Sequence, residues 1–196
     1  MRPLLLILAF VFPATTLGAS CGGNFGQFLN TIKQEAHNLG YSSILVNEFF
    51  DAAQQDPKVL KADRSQGIFQ KDFITFSQIL ISEHRLKDAK KNAAKYASIF
   101  KRINDKFGVP PGVLLAFWGF ETDFGANQGN FNTLNSLITL AHDCRRPDLF
   151  RPQIFAALEL FKRGEFDPVL TTGAWAGEIG MIQILPGDII ESGTDG

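Results

Sequence analysis

The chain has 196 residues, 45% of them hydrophobic and 20% charged, which suits one globular domain with a sizeable core. Its 19 Lys and Arg against 20 Asp and Glu leave a formal charge of -1, which excludes the bulk positive field that holds nucleic acid. Phe occurs 19 times against two Tyr and two Trp, a bias that reads as core filling.

Residues 1–20 have the order of an export signal. Arg2 starts it, Leu4 to Phe12 is apolar throughout, and Pro13 leads into the small residues before Ser20. The apolar run is too short for a membrane anchor, which needs about 20 residues. No later segment reads as a membrane span, so residues 21–196 are expected to act outside the cytoplasm, in the periplasm. Cys21, at the cleavage point, and Cys144 are the two cysteines. In an exported chain they are expected to form one disulfide, and closing so long a loop adds roughly 4–5 kcal/mol in the chain-entropy description. Lipid attachment at Cys21 is the less favoured alternative, because Leu17 sits one position too far upstream for a good lipobox.

Helical spacing dominates the rest. Phe25, Phe28, Leu29, Ile32, Ala36 and Leu39 mark one face of a first helix, which Gly40 stops. Ser42 and Ser43 open a second helix through Phe50 toward Ala53. Asp56-Pro57 reads as a turn, followed by an irregular stretch to about Gln70. A short helix is expected over Phe73–Ser82. A long one follows over Glu83–Lys106, with Ala89, Ala93, Tyr96, Ile99, Phe100 and Ile103 inward and Gly108 at its end.

Pro110 and Pro111 start the next helix, Gly112 to about Asp123. Val113, Leu114, Leu115, Phe117, Trp118 and Phe120 make it apolar nearly all round, which predicts a central position. Two amphipathic helices, about Thr133–Ala141 and Leu149–Lys162, precede a Gly-rich segment over 173–180 and a short last helix. The expected fold class is all-α, one helical domain with little or no sheet.

Glu121 stands out because it closes the most apolar helix of the chain. Apolar surroundings push a carboxyl toward its neutral form, and a carboxylic acid that keeps its proton is what cleavage of a glycosidic bond requires. Gly125 and Gly129 beyond it allow close approach of a bulky polymer. Asp123, two positions on, points to a different side of a helix and is a poor second carboxylate; Asp143 and Glu178 stay open for that role. His37, His84 and His142 have no metal-ligand spacing, no phosphate loop is present, and no metal or cofactor is implied.

The run Gly108-Val109-Pro110-Pro111, then Phe117-Trp118-Gly119-Phe120-Glu121-Thr122-Asp123-Phe124-Gly125, resembles the catalytic-helix signature of B-type lytic murein transglycosylases. The resemblance continues through Gly129-Asn130-Phe131, Ser136-Leu137, Thr139-Leu140-Ala141 and Asp143-Cys144-Arg145-Arg146. It ends with the segment from Gly173 to Gly180 and Gln183. Cys21-Gly22-Gly23, Phe28, Glu35-Ala36 and Asp63-Arg64-Ser65-Gln66 also fit.

The resemblance implies a lysozyme-like helical domain that cleaves the β-1,4 bond between N-acetylmuramic acid and N-acetylglucosamine without water, leaving 1,6-anhydro ends. It implies Glu121 as the acid/base, Gln183 beside the cleavage point, and Arg145 and Arg146 toward the acidic peptide stem. Gly180 is a further substrate-binding candidate, and Trp175 reads first as a core aromatic and second as a sugar platform. The implied partners are glycan strands of peptidoglycan, and the chain is expected to be a monomer.

Three departures weaken the match. Met181, Ile182, Ile184 and Gly187 differ from the usual residues around Gln183, and Ala174 stands where some relatives have Ser. The family's core also continues past the point where this sequence stops, so its C-terminal part is expected to be missing. The alternatives that follow are a wall-binding fragment impaired in catalysis and a muramidase-like hydrolase using Asp143 or Glu178.

Overall fold

The computed structural model describes residues 21–65 and 72–193, and the expected export signal lies outside the described residues. The elements in order are α1 (Phe25–Asn38), α2 (Ser43–Phe50), α3 (Pro57–Arg64), α4 (Phe73–Leu80), α5 (Glu83–Lys95), α6 (Ala97–Phe107), α7 (Pro111–Thr122), β1 (Phe131–Asn132), α8 (Thr133–His142), α9 (Pro147–Lys162), β2 (Thr172–Gly173) and α10 (Pro186–Ser192). The fold is all-α, as expected, with one small antiparallel pair that sets Phe131 opposite Gly173.

Capping chemistry explains where the helices begin. Asn24, Ser42, Asp56, Asp72, Ser82 and Asn132 each accept a backbone N–H from the first turn that follows. Proline opens α3, α7, α9 and α10, where its missing N–H costs nothing.

The core forms where α8 packs against α9 and α3, with α1 and α2 closing one side. Every residue of α8 except Asn135 is buried. The first two helices bury the stripes their spacing predicts: Phe28, Ile32 and Ala36, then Val46, Phe49 and Phe50. Leu39 leaves that face and is exposed, because it lies one residue beyond the helix.

Cys21 and Cys144 form the expected disulfide, with Cα atoms 5.1 Å apart, well inside the reach of the bond. Beside it, Gly22 donates its N–H to the carbonyl of His142 (2.7 Å), which ties the N-terminal end to the end of α8. Among the described residues, no helix is long and apolar enough to cross a membrane.

Three expectations are corrected. Residues 57–64 are helical rather than irregular: Asp56 caps the turn by accepting the Lys58 N–H at 2.8 Å, and Pro57 is the first helical residue instead of a breaker. The long helix over 83–106 is two helices, which meet at Tyr96 with φ −111° and ψ 23°. The central position predicted for α7 is not found. Only Leu115, Gly119 and Thr122 are buried, while Phe117 is 61% exposed and Val113 and Phe120 are each 45% exposed. Apolar surface is buried only where another element meets it, and α7 is met by α5 and α6 on one side.

Candidate active site

The last turn of α7 delivers Glu121 to the edge of a cleft of about 720 Å³. The walls come from α6 (Tyr96 at its N-cap, Phe100), α7 (Phe117, Trp118) and the segment carrying Met181 and Ile182. Glu121 is exposed. The expectation that apolar neighbours would shield its carboxyl from water is therefore corrected: Phe117 and Phe120 are themselves largely exposed.

The chain turns sharply on both sides of this cleft. Asp123 (φ 49°), Phe124 (φ 59°) and Gln183 (φ 50°) occupy the left-handed region, and no other described non-glycine residue does so. Each such residue costs roughly 1–3 kcal/mol and persists only where its surroundings over-determine it. Two ties on the Glu121 side are visible. The Arg85 guanidinium donates to the Asp123 carboxylate at 2.7 Å from Nε, and it also donates to the carbonyl of Leu80. Thr122 links the turn to the opposite segment, where its hydroxyl donates to the Met181 carbonyl at 2.6 Å. Gln183 is held as well, its Nε2 donating to the carbonyls of Gly180 (2.9 Å) and Gln128 (3.2 Å).

Close backbone packing shapes the floor. A Cβ on Gly129 would run into the carbonyl of Gly173, and one on Gly177 into the Leu137 side chain, so the segment after β2 lies directly on β1 and α8. This seats Glu178 with its Oε2 enclosed and without a hydrogen-bond partner. Burial pushes the Glu178 carboxyl above its ordinary value of 4.5 and the Glu121 charge adds to that, while a hydrogen bond from its own backbone N–H and, to a smaller extent, the Arg146 charge oppose the rise. Desolvation, expected at Glu121, thus falls on Glu178.

The basic pair is already engaged. Arg145 and Arg146 each donate to the buried Asp63 carboxylate at 2.5 Å, and Arg146 also lies over the rings of Phe150 (5.1 Å) and Trp175 (6.0 Å). Trp175 packs half-buried against the core. Gly180 is exposed, with open space where a Cβ would stand. Asp143, one of the two candidate second carboxylates, is paired instead with Arg64 at 2.7 Å.

The structure sets Glu121 on a cleft whose facing wall, Met181 and Ile182, lies between Gly180 and Gln183 in the chain, with Glu178 within range of the Glu121 charge. It sets Arg145, Arg146 and Trp175 on the Asp63 side. Two organising residues carried no role in the sequence reading. Asp63 shares a helical face with buried Val59, an i,i+4 spacing that signals an inward acid. Arg85 lies 38 residues from its partner Asp123, and nothing local marks that pairing.

A model of the transglycosylase SLT domain matches residues 24–196. The chain belongs to that family. Its fold superposes on the crystal structure of SltB3 from Pseudomonas aeruginosa in complex with NAG-NAM-pentapeptide, with TM-score 0.82 and 29% identity over 89% of this chain and 46% of that one. The catenated lytic transglycosylase SltB1 from the same organism matches with TM-score 0.79 and 25% identity, over 85% of this chain and 56% of that one. Membrane-bound lytic murein transglycosylase B of Escherichia coli K12 is 28% identical over 102 residues, which is 52% of this chain and 28% of that protein. The SLT domain here thus spans about half the length of these solved relatives, and its lysozyme-like helical architecture is the family's own.

Proposed function

We propose that this chain is a peptidoglycan lytic transglycosylase with Glu121 as its single acid/base. The observation that carries the reading is the position of Glu121, at the end of α7 on the edge of a cleft, facing the segment that bears Gln183. Glu121 donates its proton to the leaving glycosidic oxygen as the bond to muramyl C1 breaks. The resulting carboxylate then takes the proton of the C6 hydroxyl while that oxygen attacks C1, which closes the 1,6-anhydro ring. The carboxyl ends as it began, and no water is consumed. Gln183 and Gly180 flank the cleavage point, and the Arg pair, only partly neutralised by Asp63, meets the acidic peptide stem. The export signal expected in the sequence puts the reaction in the periplasm.

Mass spectrometry of peptidoglycan digested by the chain tests this reading. Anhydromuramyl ends are expected, and Glu121→Gln should lower their release by at least about a hundredfold with little change in thermal stability. Equal release by that variant would refute the role of Glu121.

A second reading rests on Glu178. A buried carboxyl that senses the Glu121 charge is the partner a hydrolase needs to direct water at C1. Digestion in ¹⁸O water separates the two reactions: label at new reducing ends means hydrolysis, and unlabelled anhydro ends mean transglycosylation.

A further inference from the structure

The two left-handed turns beside the cleft share one side chain. Thr122 is 1% exposed, and its hydroxyl is saturated in both directions. It donates to the Met181 carbonyl at 2.6 Å and accepts the Gly125 N–H at 2.9 Å. The first bond reaches the segment that turns at Gln183. The second closes the turn of Asp123 and Phe124 that directly follows Glu121. The two segments also touch elsewhere. A Cβ on Gly125 would stand 3.3 Å from the Met181 Sδ, and the Gln183 amide reaches across to the Gln128 carbonyl.

We infer that Thr122 is a positioning residue whose hydroxyl sets the separation between the Glu121 carboxyl and the Gln183 side chain. The inference rests on the reading of Glu121 as the acid/base. Its physical content is that a residue in the left-handed region relaxes unless its neighbours hold it. Arg85 holds Asp123 from the α5 side, but that ion pair makes no contact with the Gln183 segment. Thr122 joins the two segments directly beside the acid, while the Gln183–Gln128 bond joins them farther along, so losing the Thr122 hydroxyl loosens the Asp123–Phe124 turn from the Met181 segment while leaving α7 and the core in place. A small misplacement of an acid relative to the bond it protonates is enough to cost about a hundredfold in rate.

The test compares Thr122→Val, which keeps the shape and removes the hydroxyl, with Thr122→Ser, which keeps the hydroxyl. Thr122→Val should lower kcat for anhydromuramyl release at least tenfold with KM within about twofold, and Thr122→Ser should restore kcat to within about threefold of wild type. Amide exchange by NMR gives a second readout independent of turnover. The Gly125 N–H should lose at least tenfold protection in Thr122→Val and keep it in Thr122→Ser, while amides of α8 stay unchanged. If Thr122→Val does not fold, Thr122→Ala takes its place. Wild-type kcat or wild-type Gly125 protection in the variant lacking the hydroxyl overturns the inference. If wild type itself releases no anhydro ends, the activity reading fails, and the exchange comparison alone decides whether Thr122 pins the two turns.

Discussion

Helices α7 and α8 reverse what their compositions suggest. In α7, from Pro111 to Thr122, Glu121 is the only charged residue, and Val113, Phe117 and Phe120 nevertheless face solvent. In α8, from Thr133 to His142, Thr, Ser, Asn and His interrupt the apolar residues, and yet all but Asn135 are buried. Two of its buried polar side chains find partners, Thr139 Oγ1 accepting the Asp56 N–H at 2.8 Å and His142 Nδ1 lying 3.1 Å from the Gln55 amide, whereas Thr133 Oγ1, Ser136 Oγ and His142 Nε2 are buried without one. Hydrophobicity sets what a helix gains from burial, but neighbours decide whether it is buried. One helix serves as the keel of the fold, and the other holds an acid at the edge of a cleft.

Experiments that strain each side separately can break or sharpen this contrast. The largest effect is expected at the disulfide, which clasps the N-terminal end to the residues just after α8. Replacing Cys21 and Cys144 together by Ser should cost roughly 4–5 kcal/mol, read as a lower midpoint in denaturant titration. Next comes α8 itself. Ile138→Ala, at a side chain with no exposure, should cost about 2–5 kcal/mol by the same titration.

Phe117→Ala on α7 should change stability by less than about 1 kcal/mol, because the residue is already 61% exposed. A cost equal to that of Ile138→Ala would mean that α7 is covered in solution, and the contrast would fail.

The smallest effect is a pH dependence. Burial raises the Glu178 carboxyl above 4.5, so the unfolded chain gives up this proton more readily than the folded one. The contribution of Glu178 to stability is present below its unfolded pKa and is lost as pH rises toward the raised folded value. Glu178→Gln should therefore flatten the fall in Tm over that window and leave Tm below it unchanged. An unchanged slope would mean that the carboxyl is solvated.

Much of this protein was legible before folding was considered. Helix starts follow from single residues such as Asn24, Ser42 and Ser82, whose side chains satisfy N–H groups a few positions away. The all-α class, the stripe through Phe28, Ile32 and Ala36, and the Cys21–Cys144 pairing are equally local or arithmetical. Glu121 was legible as an acid closing an apolar helix, within a run that resembles a family signature. Asp56-Pro57 misled because the same pair that opens a helix also makes a turn.

What only the tertiary structure decided are the quantities that depend on residues far apart in the chain. Whether α7 is covered, which carboxyl loses its water, where Arg145 and Arg146 point, and which hydroxyl joins the Glu121 and Gln183 turns each require the position of a distant partner. Periodicity specifies one face of one element. Desolvation and long-range hydrogen bonds depend on what meets that face, and that is set only when the helices pack.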